Sequence, residues 1–376
     1  MILVFLTSII SFIVAFTCIP LLVKFSYSKN IFDFPSARKP HSYPVSFFGG
    51  IAIFLAIVLS MTAVVPSSNA EWLQYLLASS VVVFLLGIQD DILFLSPIKK
   101  FIGQLLAIFI LVQQGHFQLF SLHGFLGIYE LNKIASLLFT YLTILIIINA
   151  YNLIDGVDGL AGTLSLISSV FFGIVFLINK DLVFASLSFS IASALSAFLV
   201  FNYSPPKIFL GDTGSMLIGL MNAILVIHFI TIETTSGVLF HSNVSPAIGL
   251  AVLFIPVIDT IRVMVLRIYK GKSPFVGDRN HIHHLLLRKG YSHMKVTFIL
   301  SLSNAFIIFY SIIFRSLGIT FLVFSMTLIF FAVLQLFLSN SAINEFSEAP
   351  ARDLTQSELL SDKIITTKGE IEASQK

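Results

Sequence analysis

Five short segments of this chain concentrate the residue types that could do chemistry: Arg38 to His41 (RKPH), Gln89 to Asp91 (QDD), Asn149 to Asp158, Phe209 to Ser215 (FLGDTGS) and Asn280 to His284 (NHIHH). Asp90 and Asp91 are adjacent carboxylates at the end of an apolar run, where burial is costly unless cations offset it. Lys99 and Lys100 follow in the same loop. The pair reads either as solvated loop acids or as ligands of a hard divalent cation, since Mg²⁺ takes one or two carboxylates and completes its octahedron with water and substrate phosphates. In NAYNLIDGVDGLAG, Asn149, Asn152, Asp155 and Asp158 recur at every third residue. On a helical turn, neighbours at that spacing share a face, and Gly156 and Gly159 admit close backbone approach. Helix capping would account for one Asp and one Gly, not for four evenly spaced groups.

Asp212 stands at the start of another apolar run. It reads as an N-cap, with Thr213 the other candidate, or as a metal-binding carboxylate beside free amides that favour phosphate. His281, His283 and His284 lie among Arg279, Arg288 and Lys289. Zinc ligation and lipid-headgroup binding are alternatives there, but donation to diphosphate and sugar oxygens suits a basic loop at a membrane surface better. Asp259, three residues before Arg262, reads as half of an internal ion pair, and the small-residue run at 185–198 as a helix-packing surface. The single cysteine, Cys18, lies inside the first apolar run, which excludes an intrachain disulfide or a zinc ribbon.

The elements that must position these groups are membrane helices. The 376 residues are 57% hydrophobic and 11% charged, too little polarity to clothe a soluble globule. Runs near the roughly 20 residues that span a bilayer occur at 2–23, 45–65, 73–89, 101–114, 134–151, 160–178, 183–201, 214–232, 245–266, 296–314 and 317–338. The fourth must borrow from 115–120. The sequence therefore predicts an all-α polytopic membrane protein of about 11 transmembrane helices. Residues 1–340 would form the catalytic membrane domain, and 341–376 a polar, disordered tail. No basic residues precede the first run, so it is expected to stay as a helix rather than be cleaved. Alternate connections carry Lys24, Lys29, Arg38, Lys39, Lys99, Lys100, Lys207 and the basic cluster between 262 and 295, against Lys133, Lys180 and Arg315 on the other side. The asymmetry puts the N-terminus outside, the C-terminus in the cytoplasm and all five polar segments on the cytoplasmic face. With no soluble domain, a reaction there could use a lipid as one substrate.

Taken in order, RKPH, QDD, NAYNLIDGVDGLAG, FLGDTGS and HIHH resemble the polyprenyl-phosphate N-acetylhexosamine-1-phosphate transferases, over roughly residues 38–292. The span count, the outside N-terminus and HIHH in place of three consecutive histidines resemble the undecaprenyl-phosphate GlcNAc-1-phosphate branch more than phospho-MurNAc-pentapeptide transferase. The resemblance implies transfer of a sugar 1-phosphate from a UDP-N-acetylhexosamine, most simply UDP-GlcNAc, to undecaprenyl or another polyprenyl phosphate, with UMP released. It also implies Mg²⁺, with Mn²⁺ as a substitute, and a bacterial inner membrane with the active site on its cytoplasmic face. By the same resemblance Asp90, Asp91 and Asp212 are catalytic. Asp212 is the principal metal ligand with Asp91 assisting, and Asp90 deprotonates or orients the lipid phosphate. Asn149, Asn152, Asp155, Asp158, His281, His283, His284, Lys99, Lys100, Arg38 and His41 would bind substrate. Other donors (GalNAc, FucNAc, QuiNAc or MurNAc-pentapeptide) are alternatives, as is a polytopic transporter, which would need polar groups near mid-membrane. No nucleic acid partner is expected, and the oligomeric state is not legible.

Overall fold

A computed structural model describes residues 1–32, 44–66, 70–232, 242–273 and 280–339. In chain order its helices are α1 (Ile2–Lys29), α2 (Gly49–Val64), α3 (Leu73–Leu93), α4 (Pro97–Phe109), α5 (Lys133–Ile154), α6 (Leu160–Ile178), α7 (Leu182–Asn202), α8 (Gly211–Thr231), α9 (Ser245–Val252), α10 (Phe254–Tyr269), α11 (Ile282–Arg288), α12 (His293–Ile313) and α13 (Ile319–Ser339). The chain divides into two compact units, Met1–Ile329 and Phe330–Lys376.

Seven helices, α1, α3, α5, α6, α7, α8 and α12, are long and apolar enough to cross a bilayer, and the α9/α10 pair makes an eighth if taken as one bent span. The protein is thus an all-α multi-pass membrane protein. α2, at 16 residues, and Ile319–Gln335 of α13 are apolar but shorter.

Two predicted spans differ in form. The fourth does not extend through 115–120: α4 passes into a π-helical turn at Ile110–Gln114 and stops. The polar sequence Gln113, Gln114, Gly115, His116 ends the apolar run, and His116 takes a positive φ of 57°. Beyond it, β1 (Ser121–Phe125) pairs antiparallel with β2 (Ile128–Glu130) in a hairpin. The ninth span is broken, with an 85° bend between α9 and α10. Pro256 has no N–H to donate to the Val252 carbonyl one turn back. Asn304 of α12 fills the break instead: its Nδ2 donates to Val252 O at 3.0 Å and its Oδ1 accepts from Ile255 N at 3.1 Å.

α8 lies almost wholly buried, in contact with α2, α3, α5 and α6. A Cβ at Gly219 would stand 2.7 Å from Ile148 Cα, so only glycine allows α8 and α5 to meet this closely. Inside the bundle, where apolar burial does not favour helix contact over lipid contact, polar groups add specificity. Asn222 donates to Ser165 at 2.8 Å and accepts from Ser168. Ser190, in the small-residue run of α7, meets Ser60 of α2 at 2.7 Å and accepts from Ser11 of α1 at 2.7 Å.

Candidate active site

The start of α8 is built by three helices together. Leu210, its N-cap residue, offers no capping side chain, and neither Asp212 nor Thr213 caps the helix. The cap comes from α3: Asp91 Oδ1 accepts from the Asp212 N–H at 2.7 Å, and Oδ2 accepts from the Thr213 N–H at 3.0 Å and the Thr213 hydroxyl at 2.5 Å. This satisfies donors that a helix terminus otherwise leaves open. Close approach makes it possible. A Cβ at Gly87 would fall 2.3 Å from Thr213 Cα, and one at Gly50 of α2 would fall 2.2 Å from Gly214 N.

Because Asp91 does the capping, the Asp212 carboxylate is free for other partners. Its Oδ1 accepts from Asn152 Nδ2 at 2.5 Å, and its Oδ2 lies 3.4 Å from Lys100 Nζ. Asn152 also donates to Ser215 at 2.9 Å. Lys100 forms a second ion pair with Asp90, so one cation bridges two carboxylates. Asp90 is only 2% exposed and also accepts from Leu95 N at 2.8 Å, closing the turn after α3.

The Asn/Asp series does not lie on one helical face. α5 ends at Ile154, so Asn149 and Asn152 are helical, whereas Asp155 and Asp158 sit in the turn before α6. Gly159, at φ 76°, makes that turn, and its N–H donates to Asn202 Oδ1 at 2.8 Å. Asn149 turns away: its Nδ2 donates to Gln104 Oε1 at 2.9 Å and to Leu145 O at 2.8 Å. No described residue donates a hydrogen bond to the Asp155 side chain. Burial, followed by the charges of Asp212, Asp91 and Asp158, pushes its carboxyl well above the usual range.

Asp90, Asp91, Asn152, Asp155, Asp158 and Asp212 line a cavity of about 850 Å³. Phe32, Phe47, Phe94 and Phe209 give the same cavity an apolar flank. The cavity could therefore take a polar headgroup and an apolar chain together. Asn149, Lys99, Lys100 and the three histidines are not on its wall, and Arg38 and His41 lie outside the described residues.

The histidine segment sits beside the cavity and is anchored by Asp259, which is 1% exposed. Asp259 pairs with Arg262 at 2.6 Å, as the sequence spacing suggests. It also meets His281 Nδ1 at 2.9 Å and accepts from Ile282 N at 3.2 Å. Arg262 further donates to Asn280 O at 2.6 Å. His283 is fully buried, and a Cβ on Gly156 would stand 2.6 Å from its Nε2. Burial, reinforced by His284, pushes His283 down to about 3, so its ring is neutral.

Oxygen donors at Asp212, with Asn152 and Asp155 on the same wall, suit Mg²⁺ by hardness, whereas Asp91, the other expected ligand, has both carboxylate oxygens engaged in capping α8. Among the described residues no cluster of three or more His, Cys, Asp or Glu is set to hold a metal ion. An ion held by so few protein oxygens would take most of its shell from water and substrate phosphate. Sequence motifs did not bring out Gln104, Asn202 or His293. His293 lines the cavity. Its signal was slight: a single histidine after Ser292, the capping residue of α12.

Residues 73–230 match glycosyl transferase family 4. The chain is 32% identical over 311 residues to the undecaprenyl-phosphate alpha-N-acetylglucosaminyl 1-phosphate transferase of Pasteurella multocida (strain Pm70), covering 80% of this chain and 83% of that protein. It is 33% identical over 287 residues to the protein of the same name from Haemophilus influenzae (strain ATCC 51907 / DSM 11121 / KW20 / Rd), covering 73% and 77%. It is 32% identical over 297 residues to the decaprenyl-phosphate N-acetylglucosaminephosphotransferase of Mycobacterium tuberculosis (strain ATCC 25618 / H37Rv), covering 72% of each. With the QDD, NLIDGVDG and GDTGS segments converging on one cavity inside the matched region, the chain belongs to glycosyl transferase family 4, the polyprenyl-phosphate N-acetylhexosamine-1-phosphate transferases.

Proposed function

We propose that this enzyme transfers GlcNAc 1-phosphate from UDP-GlcNAc to undecaprenyl phosphate. An oxygen of the lipid phosphate bonds to the β-phosphorus, the bond from that phosphorus to the bridging oxygen breaks, and UMP leaves with the bridging oxygen. The observation that carries this reading is the cavity, which joins a carboxylate and amide wall to a phenylalanine flank. A lipid phosphate and a nucleotide sugar need both.

Asp90 orients the lipid phosphate. Phosphate is largely dianionic at neutral pH, so positioning contributes more than proton removal. Lys100, held between Asp90 and Asp212, limits repulsion between incoming phosphates and the acids. Asn152 fixes the rotamer of Asp212. Asp155 and Asp158 face the nucleotide sugar. Mg²⁺, bound through Asp212 and nearby oxygens, would neutralise phosphate charge.

Membranes containing the enzyme, given undecaprenyl phosphate and a panel of radiolabelled UDP-N-acetylhexosamines, are expected to label lipid from UDP-GlcNAc and release equimolar UMP. EDTA is expected to stop the reaction and added Mg²⁺ to restore it. Release of UDP instead would mean glycosyl transfer and sink the proposal, and labelling from another donor alone would reassign the sugar.

The eleven apolar runs each meet a helix or an adjoining helix pair, which supports eleven spans, and the basic residues gathered on alternate connections support an outside N-terminus, a cytoplasmic C-terminus and a cavity on the cytoplasmic side of the bacterial inner membrane. The β1–β2 hairpin then faces outside. Tyr129 is exposed there, and a Tyr129→Cys variant lacking Cys18 is expected to react with an impermeant thiol reagent on intact cells. Reaction only after lysis would invert the topology.

A further inference from the structure

Within the reading above, we infer that His293 is a donor-binding residue, its Nε2–H directed to a phosphate oxygen of the UDP-sugar. His293 begins α12, outside every motif noted in the sequence, and lines the cavity beside Asp155 and Asp158. Among the described residues on the cavity wall it is the only basic side chain, whereas Asp90, Asp91, Asp155, Asp158 and Asp212 all carry carboxyl groups. A diphosphate entering this wall meets an excess of acid. Lys100 is taken up by Asp90 and Asp212, and His281 by Asp259.

The ring is already oriented. The Asp158 N–H donates to His293 Nδ1 at 3.3 Å, and Asp158 Oδ2 lies 3.1 Å from the same nitrogen. The Asp158 carbonyl in turn accepts from the Thr297 hydroxyl at 2.8 Å, one helical turn further along α12. A neutral ring that accepts this backbone bond has its proton on Nε2, whereas one that donates Nδ1–H to the Asp158 carboxylate leaves Nε2 an acceptor. If the ring takes up a second proton, that proton goes to Nδ1, against the Asp158 carboxylate, and Nε2 keeps its own. In the Nε2-protonated neutral ring and in the imidazolium Nε2 is a donor, and no described residue accepts from it. A phosphate oxygen would complete a line from phosphate through the imidazole to Asp158.

The test uses the full-length enzyme with UDP-GlcNAc and undecaprenyl phosphate, comparing wild type with His293→Gln and His293→Asn. The amide nitrogen of Gln stands near where Nε2 stood, and that of Asn near where Nδ1 stood. His293→Asn is expected to raise KM for UDP-GlcNAc about tenfold, as loss of a charge-assisted hydrogen bond does, with KM for the lipid within about twofold. His293→Gln should keep the donor KM within about threefold of wild type. Unchanged donor KM in both variants overturns the inference. So does the reverse order, which would mean that the ring acts only by holding Asp158, and so does an equal rise in both KM values. A check that needs no variant is carbethoxylation of wild-type His293 by diethyl pyrocarbonate, which saturating UDP should slow; no protection likewise overturns the inference. Wild type that releases UMP from no UDP-N-acetylhexosamine would sink the functional reading itself, whereas active wild type with indifferent variants would sink only the role of His293.

Discussion

Replacing Asp212 with Asn is expected to lower kcat by roughly 10²–10³-fold, the scale on which losing one preorganised electrostatic group slows an enzyme. The substitution keeps shape and size but removes the charge that Lys100 and Asn152 are arranged around. The Asn152 amide, which now donates to Asp212 Oδ1 at 2.5 Å, can still find an acceptor in an Asn side chain. The α8 cap is untouched, because Asp91 makes it through backbone N–H groups that the variant retains. The fold should therefore survive, with thermal unfolding in detergent unchanged while UMP release collapses. Raising Mg²⁺ should recover part of the loss if Asp212 contributes metal affinity. Full activity at limiting Mg²⁺ would remove Asp212 from the metal site.

The second large effect is on stability. Asp259→Ala is expected to cost about 3–5 kcal/mol, the usual penalty for stripping one partner from a buried ion pair. Asp259 holds Arg262, His281 and the Ile282 N–H together. Without it, a nearly buried guanidinium and the first backbone donor of α11 lose their acceptor. Most of the cost is the uncompensated Arg262 charge, so adding Arg262→Met should return a large part of the stability without returning the order of the histidine segment. The melting temperature should fall sharply in the single variant and recover in the double, with activity low in both. Equal melting of wild type and Asp259→Ala would show that Arg262 reaches water and that the pair is not a structural anchor.

The helices were legible because apolar run length is a local property. α6, for instance, begins and ends at the predicted residues. The break after α9 was half legible: Pro256 is visible in the sequence, but the side chain that fills the gap, Asn304, comes from another helix. The hairpin was hidden because β1 and β2 are only five and three residues long.

At the site, motif chemistry picked out six polar residues that meet on one cavity. The geometric reason was mistaken for two of them, since the three-residue spacing from Asn149 to Asp158 continues past the end of α5 into a turn. FLGDTGS reads either as a self-capped helix or as a metal-binding carboxylate beside phosphate-favouring amides, and the first reading fails. Its cap is a carboxylate on another helix, a long-range pairing that no local pattern encodes.

That pairing also bears on how the protein is made. Asp91 enters the membrane with α3, and the amide it caps follows 121 residues later. α8 ends almost wholly enclosed by helices of which α2, α3, α5 and α6 are all synthesised before it. The early helices cannot close into a finished bundle ahead of it. Until α8 is made, the backbone faces at Gly50 and Gly87 that it covers have no α8 against them. Insertion of α8 brings the acids of α3, α8 and the α5–α6 turn together, while the His293 side of the same cavity waits for α12, so a chain stalled before α8 lacks the Asp212 side of the wall.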